Sequence, residues 1–484
     1  MTLNKLTLDD LNRVIGLWWL PGNDKNQIHG VLELNNDHLQ LRTTQMFEGV
    51  ESLEKETIPI IHGLTATGLK LTLLNCKKHS QTIHAPGMAE MIFEFAKIIA
   101  GENYASDNIL VKSLICRFDG LEEWLNDMPL DAFRYDDTWQ AQCKMPEKYS
   151  CTVENFTATV ESEVKLHLNR NVGAGFERFA SINFVFANPT DLFEAVLQAR
   201  KYSDFLTLCI GRYSNILSVQ AVDINEVNIA ILDNLKEIGT TSSQCLIPFT
   251  YVKENYQNCL QTWYHKYEEI KPVIGYFVEA CQKKSHIHLP MEFLKMVQAL
   301  ESYSRRMRKA TIISPEEHQE RINRIVSHFE DGDEDKEWII DVLKTPVLNE
   351  PSCSQRITNL IKETAVDLGI EKKKVKSIAY KIVTTRNYYT HFNEKLLHDI
   401  FSDHDAFYSI ALMKNVLKVV LCRELSIELP NMKDILSRDA ELTTALGELG
   451  LSTPTKMCTV EIIDKADTGK MENSNSGIES KADN

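Results

Sequence analysis

The residues best suited to chemistry lie together in the segment 385–392, which reads Thr-Arg-Asn-Tyr-Tyr-Thr-His-Phe. The segment forms the polar end of an otherwise apolar helical pattern. At about 100° per residue, Arg386 and His391 lie roughly 140° apart around the helix and about 7.5 Å apart along it. Asn387 and His391 are four residues apart and share one face. Asn387 can therefore orient the imidazole, and the long guanidinium of Arg386 can reach the same point.

This combination of side chains suits cleavage of RNA through the ribose 2′-hydroxyl. The reaction needs proton transfer, which histidine can perform near neutral pH, and stabilisation of phosphoryl charge, for which the planar arginine fork is suited. No metal or other cofactor is required, and we predict none. The predicted catalytic residues are Arg386, Asn387 and His391. The same three residues can also cap carbonyls at a helix end, so the pattern alone leaves this alternative open.

The charge around this segment is opposite to the charge of the whole chain. The chain has 53 Lys and Arg against 68 Asp and Glu, a formal net charge of -15. Residues 356–395 contain nine Lys or Arg against four acids, a local +5. A phosphate-binding face needs such a reversal, although a lysine run is also typical of a solvated helix start. The predicted RNA-binding residues are Lys372, Lys373, Lys374, Lys376 and Tyr389, the tyrosine by stacking on a base unless it is a core residue.

Two other signatures are incomplete. Residues 63–70 have the glycine spacing of a phosphate-binding loop, but Leu69 stands where the lysine is needed, which favours a turn into a strand. Two histidine pairs lack companion ligands at zinc spacing, so we predict no metal site. These pairs are His79/His84 and His286/His288.

Composition and length set the class of the protein. The 484 residues are 43% hydrophobic and 25% charged, which is typical of a globular chain of about two to four domains. The acidic balance argues against general coating of nucleic acid or of anionic membranes. The 11 cysteines include no C-x-x-C pair, and there is no signal-peptide pattern or apolar run of about 18 residues. We therefore expect a cytoplasmic protein with reduced thiols and no membrane contact.

The first part of the chain has the alternation of β-strands. A hairpin is predicted at 28–34 and 38–42, and further strands at 69–74, 164–168 and 181–186. Several short strands separated by polar turns indicate a sandwich or barrel. A helix follows the plausible cap Asp191, and residues 209–222 can return as strands.

Helical periodicity dominates from Pro248 onward. The most definite helix start is Ser314-Pro315-Glu316-Glu317, and the helix that follows is predicted to bury Ile322, Ile325, Val326 and Phe329. A third helix would hold Trp338, a fourth would stop at Gly369, and a sixth, near 405–424, is apolar on most sides and so central or in a subunit contact. We predict an α+β chain. Its parts are a β-rich sandwich or barrel-like domain (1–245), an all-α bundle (246–440) and a disordered tail (455–484).

Residues 386–391 match the R-(polar)-x3-H signature of the HEPN superfamily, with the polar residue present and the spacing unchanged. Residues 299–305 fit the bundle that precedes the motif in that superfamily. Residues 16–21 (Gly-Leu-Trp-Trp-Leu-Pro), 30–32 and 61–65 are similar to the opening of the ApeA N-terminal domain. Over about residues 10–430 the chain resembles ApeA-type proteins, in which this domain precedes an ApeA-like HEPN domain.

The resemblance implies a metal-independent endoribonuclease that acts in bacterial antiviral defence by abortive infection. It implies cleavage of host RNA, with tRNA as the expected substrate, to 2′,3′-cyclic phosphate and 5′-hydroxyl ends. Arg386 would bind the scissile phosphate, Asn387 would position the histidine, and His391 would be the general acid or base. Two HEPN bundles would pair as a homodimer, with both motifs in one cleft. The N-terminal domain would be a sensor for a phage-derived trigger.

Two alternatives remain open at this stage. The bundle can be a module that binds RNA or a protein without cleaving RNA, as inactive relatives of such domains do. It can also be a toxin-like target of nucleotidyl transfer, in which Tyr388 or Tyr389 would be modified.

Overall fold

Strands occupy the first half of the chain and helices the second, which confirms the predicted α+β class. The computed structural model describes residues 6, 9–11, 13–35, 38–47, 56–83, 86–126, 130–135, 138–169, 173–232, 245–282, 288–330, 332–427 and 432–452. The predicted tail 455–484 lies outside these residues, and the predicted boundary at 245/246 adjoins 233–244, which also lie outside them.

Six strands close into a barrel. Neighbours pair in the order β5, β4, β1, β2, β3 and β6, and pairing of β6 with β5 closes the ring. The predicted hairpin at 28–42 is confirmed as β2 and β3. Trp18, Leu32 and Phe93 are fully buried, so side chains fill the ring. The six strands are β1 (Arg13–Trp19), β2 (Ile28–Asn35), β3 (His38–Thr43), β4 (Thr57–Thr65), β5 (Lys70–Ile83) and β6 (Ala89–Glu94).

The loop-like segment 63–70 is the end of β4, a short turn and the start of β5, as the turn interpretation predicted. Gly63 packs on the buried ring of Trp18: a Cβ at this position would lie 2.3 Å from Trp18 Cζ3. The glycine is thus required by close packing and not by a phosphate.

Replacing Gly63 by alanine is expected to lower the free energy of unfolding by about 1–3 kcal/mol, since the added methyl group overpacks the barrel. Chemical denaturation of the full chain measures this. Gly175→Ala is the matched control, because Gly175 also lies in a strand but a Cβ there meets nothing within 4 Å. Equal midpoints for the two variants would contradict the packing of Gly63 on Trp18.

The sheet continues beyond the barrel through β7, which pairs with β5 on one side and β15 on the other. The order from β7 outward is β15, β14, β8, β13, β12 and β11, and β9 and β10 form a separate hairpin. These strands are β7 (Lys97–Ala100), β8 (Leu110–Phe118), β9 (Leu130–Tyr135), β10 (Thr138–Cys143), β11 (Tyr149–Val153), β12 (Phe156–Asn169), β13 (Gly173–Asp191), β14 (Ile216–Asp223) and β15 (Asn228–Leu232).

Helices cover this part of the sheet. As predicted, α2 (Leu192–Ile210) begins at the cap Asp191, whose Oδ1 accepts bonds from the backbone N–H groups of Phe193 and Glu194. At the edge strand β11, the Gln257 side-chain amide bonds both the N–H and the C=O of Thr152, at 3.2 and 3.1 Å. A side chain of the long helix α4 (Tyr256–Cys281) thus occupies backbone groups that an edge strand would otherwise expose.

The second half of the chain is a helical bundle around α10 (Asp403–Glu424), whose residues from Ala411 to Cys422 are all buried. This confirms the prediction of a central helix. No helix among the described residues is long and apolar enough to cross a membrane. The remaining helices are α1 (Leu121–Leu125), α3 (Phe249–Val252), α5 (Leu289–Tyr303), α6 (Pro315–Val326), α7 (Glu334–Leu343), α8 (Cys353–Leu368), α9 (Val375–His391), α11 (Met432–Leu436) and α12 (Ala440–Glu448).

Two helices form where predicted but do not bury the predicted residues. Ser314 caps α6 as expected, with Oγ accepting from Glu317 N–H, yet Ile325 is 40% exposed and only Ile322 is buried. In α7 no residue is buried and Trp338 is 64% exposed. The prediction was wrong because α6 and α7 pack against each other, so their apolar faces are only partly covered.

Candidate functional site

The motif lies at the C-terminal end of α9. Ile378, Ala379 and Ile382 are buried, and α9 packs against α5 and α8. Near its end, Thr385 is fully buried and its Oγ1 accepts a hydrogen bond of 2.9 Å from Phe401 N–H. The last turns of α9 are therefore held by core packing and by the segment that follows.

The helix stops directly after His391. Phe392 adopts the left-handed conformation with φ 50°, and its N–H donates to Tyr388 O at 2.7 Å. A positive φ is rare for a bulky residue and marks a locally strained turn. The Phe392 ring is 70% exposed and lies 5.9 Å from the Tyr388 ring. As a result, His391 occupies the last helical position and its imidazole is exposed.

Arg386 and Asn387 are half-buried and bonded to each other. Arg386 Nη1 donates to Asn387 Oδ1 at 3.0 Å. Asn387 thus holds the guanidinium, whereas the sequence suggested that it orients His391. A bond between Asn387 and His391, which share one helix face, stays a prediction.

Cys353 lies near several charged residues, including Arg386, that the sequence did not indicate. The thiol of Cys353, at the start of α8, has its pKa raised to about 11 by burial and by the nearby Glu301 carboxylate, while Arg386 acts in the opposite direction. Glu301 lies on α5 and bonds Arg305 at 3.2 Å. Glu301, Arg305 and Arg386 thus all act on the same thiol.

Glu350 connects the same group to the bundle core. Its Oε2 accepts from Arg305 Nη1 at 2.9 Å and from Arg356 Nη2 at 2.6 Å. Arg356 is 2% exposed. Although it contributes to the basic segment 356–395, its charge is paired inside the protein and is not available to RNA.

A π-helical turn at Ser304–Arg308 follows α5 and supplies Arg305. The extra residue per turn changes the direction of the side chains, and such turns are frequent at functional sites. Arg308 of this turn bonds Glu424 on α10 at 2.7 Å and Glu363 on α8 at 2.8 Å. Burial alone would raise the pKa of Glu424, but its bonds from Lys266, Arg308 and Tyr303 lower it. The turn is therefore anchored to two helices of the bundle.

The predicted lysines lie at the opposite end of α9. Lys372, Lys373 and Lys374 form a short 3-10 turn, in which the last two pair with Glu371 at 2.9 Å. Lys376 and His391 are 15 residues apart in α9, or about 22 Å along its axis. The structure therefore does not bring the lysines together with the motif.

Tyr389 is half-buried, and its ring packs edge to face on Phe293 of α5, with 5.6 Å between the ring centroids. Burial and the nearby Asp403 raise the pKa of its phenol. A stacking role for Tyr389 stays a prediction. Among the described residues, no group of three or more His, Cys, Asp or Glu is placed to hold a metal ion.

The chain consists of a β-rich part with a six-stranded barrel and a helical part that is consistent with a HEPN domain. In the helical part, α9 ends on Arg-Asn-x3-His. Residues 13–263 match the ApeA N-terminal domain 1, and residues 294–430, which include the motif, match the Apea-like HEPN domain. The chain belongs to the ApeA family. At the level of the family it is a nuclease-type defence effector, since HEPN domains are generally ribonucleases. No curated protein and no solved structure matches the chain.

Proposed function

We propose that the protein is a metal-independent endoribonuclease whose Arg386, Asn387 and His391 act on a phosphodiester of host RNA, with tRNA as the substrate. The observation that carries the proposal is the end of α9, where an exposed imidazole and a half-buried guanidinium lie on the surface of an ApeA-like HEPN domain. An imidazole and a guanidinium together supply the proton transfer and the charge stabilisation that the reaction needs.

In the proposed reaction, a base removes the proton of the ribose 2′-hydroxyl, and the 2′-oxygen attacks the adjacent phosphorus. The bond from phosphorus to the 5′-oxygen breaks, and that oxygen takes up a proton from an acid. The products are a 2′,3′-cyclic phosphate and a 5′-hydroxyl. His391 is the acid or base, and Arg386 binds the phosphoryl oxygens, held in place by Asn387 at 3.0 Å.

We further propose that two chains pair through the HEPN domain, so that one cleft receives both motifs and therefore two imidazoles. Exposed apolar side chains close to the motif support this pairing: Phe392 is 70% exposed, Tyr380 54% and Leu397 47%. The lysines of 372–376 would contact phosphates about 20 Å along α9 from the catalytic end. The β-rich domain would sense a phage-derived trigger and release the nuclease, which stops growth of the infected cell.

The proposal is tested with the purified full chain, tRNA and a metal chelator. We expect cleavage that the chelator does not reduce, cyclic phosphate at the new 3′ ends and hydroxyl at the new 5′ ends, and a dimer by light scattering. Binding of tRNA without cleavage, including with lysate of infected cells added as a source of trigger, would favour a binding module. An added nucleotide on Tyr388 or Tyr389, detected by mass spectrometry, would favour a target of nucleotidyl transfer.

A further inference from the structure

A cavity of about 420 Å³ lies away from the motif, between α2, the sheet strands β7, β14 and β15, and the second half of α4. This volume is within the range of small-molecule sites in proteins. The α4 residues that line it begin at Tyr267, beyond the part of the chain that matches the ApeA N-terminal domain, and precede the HEPN domain. The cavity therefore lies mainly in the N-terminal part and is completed by the helix that leads to the HEPN domain.

The walls of the cavity carry one more positive than negative side chain. Its four cationic side chains face three carboxyl groups, and Glu268 is already paired with Lys201 at 2.9 Å and with Lys271 at 3.7 Å. Lys201 Nζ also lies 5.0 Å from the centre of the Tyr267 ring. The walls can thus accept an anion. The cationic residues are Lys97, Arg200, Lys201 and Lys271, and the acidic ones are Glu194, Asp204 and Glu268.

Asp204 is the most buried acid of the cavity. Tyr267 OH donates to its Oδ2 at 2.6 Å. Burial raises the pKa of Asp204 to about 6, although Tyr267 and the nearby Arg200 act to lower it. A carboxylate has more acceptor positions than one phenol fills, so Asp204 can accept further N–H donors from a ligand. A buried acid with a perturbed pKa in a cavity is a frequent mark of a binding site.

We propose that this cavity binds a mononucleotide, with its phosphate on Arg200, Lys201 and Lys271 and the N–H donors of its base on Asp204. Two properties of the cavity together select this class. Arg200, Lys201 and Lys271 would bind any phosphate, but inorganic phosphate supplies no N–H donor for Asp204. A nucleoside alone supplies donors for Asp204 but places no anion on Arg200, Lys201 and Lys271.

The position of α4 gives the site a structural link to the nuclease half. Outside the cavity, Lys266 Nζ bonds Glu424 Oε2 of α10 at 2.7 Å, and Arg306 of the π-helical turn donates to Glu269 O at 3.0 Å. A ligand that fixes α4 therefore acts on the helix that contacts α10 and the turn bearing Arg305. The binding itself is measured without RNA and does not depend on the proposed nuclease activity.

The test is calorimetric titration of the full chain with GMP and AMP, compared with guanosine, adenosine, ribose 5-phosphate and inorganic phosphate. At least one mononucleotide is expected to bind, and removing either its base or its phosphate should weaken binding about tenfold or more, as for the loss of one hydrogen bond to a charged group. Absence of nucleotide binding at millimolar concentration, or equal affinity for phosphate alone, would overturn the proposal.

Variants of Asp204 and of a cationic residue distinguish the contacts to the base from the contacts to the phosphate. Asp204→Asn keeps the shape of the side chain and should weaken mononucleotide binding about tenfold while leaving ribose 5-phosphate unchanged. Lys271→Gln should weaken the binding of both the mononucleotide and ribose 5-phosphate. Lys253→Gln is the control, because Lys253 pairs with Glu147 outside the cavity and its loss changes the net charge equally. Unchanged mononucleotide affinity in a folded Asp204→Asn protein, checked by circular dichroism, would show that Asp204 does not contact the base.

Discussion

Replacing His391 by alanine is expected to slow RNA cleavage by about 10²–10⁴-fold, the usual contribution of a general acid or base. The imidazole is exposed in the last position of α9, so its removal leaves the helix and its packing on α5 and α8 intact. The free energy of unfolding should change by no more than about 0.5 kcal/mol. The rate is measured under single-turnover conditions with an end-labelled tRNA, and stability by thermal unfolding.

The matched control is His398→Ala. His398 is also exposed, and it lies seven residues further along the chain, beyond the end of α9. Its replacement removes an imidazole from the same region and should leave the cleavage rate unchanged. If the His391→Ala protein cleaves RNA at the rate of the unmodified protein, the assignment of the general acid or base is wrong.

Two replacements of Arg386 distinguish the effect of its positive charge from the effect of its planar shape in the same assay. Arg386→Ala should cost about 10²–10³-fold, as for the loss of one group that stabilises charge in the transition state. Arg386→Lys keeps a positive charge near Cys353 but removes the planar fork and the bond to Asn387. Since a lysine is not equivalent at a bidentate site, a substantial loss is expected here too.

Local signals predicted the starts and stops of several helices. Asp191 and Ser314 are caps whose side chains accept backbone N–H bonds, and Gly369 ends α8 at φ 72°. The capping box of α8 is in the sequence as well: Ser352 and Gln355 bond each other's backbone. Such interactions involve residues three or four apart, which is why the sequence carries them.

Features that depend on distant parts of the chain could not be predicted in this way. Closure of the barrel requires β5 to pair with both β4 and β6, with a register shift between Lys78 and Ser80 that no local pattern specifies. The exposure of Trp338 has the same origin: an amphipathic pattern predicts that a face is apolar but not which element covers it.

The candidate site also combines local features, which the sequence predicts, with features that depend on distant parts of the chain. The spacing of Arg386, Asn387 and His391 within one helix follows from helical geometry, and the sequence predicts it. Cys353, on whose pKa Arg386 acts, comes from α8, more than 30 residues earlier in the chain, and the π-helical turn that supplies Arg305 has no sequence signature. The bond between Arg386 and Asn387 and the influence of Arg386 on Cys353 are therefore known only from the structure.

Asp439→Ala is expected to destabilise the full chain by about 3–5 kcal/mol, the largest stability effect that we predict for a single replacement. The reason is Lys418, which is 1% exposed and whose Nζ lies 3.3 Å from Asp439 Oδ2. Without Asp439 this buried ammonium loses its carboxylate. The change also removes the cap of α12, because Asp439 Oδ1 accepts from the N–H groups of Glu441 and Leu442. Urea denaturation at pH 7 measures the effect, and Asp434→Ala, an exposed acid on α11, is the control.

The pH dependence distinguishes loss of the ion pair from loss of the cap. Burial would raise the pKa of Asp439, but Lys418 and Lys414 and the bond from Leu442 N–H together lower it. An acid with a lowered pKa in the folded state stabilises the protein fully above its unfolded value, and this contribution is lost as the pH falls through the folded value. Asp439→Asn removes the charge and keeps a capping oxygen. Its deficit relative to the unmodified protein should therefore be largest near pH 7 and shrink below about pH 4. A deficit close to zero at pH 7 would mean that Asp439 acts on α12 as a cap alone, with no free energy from its pairing with the buried lysine.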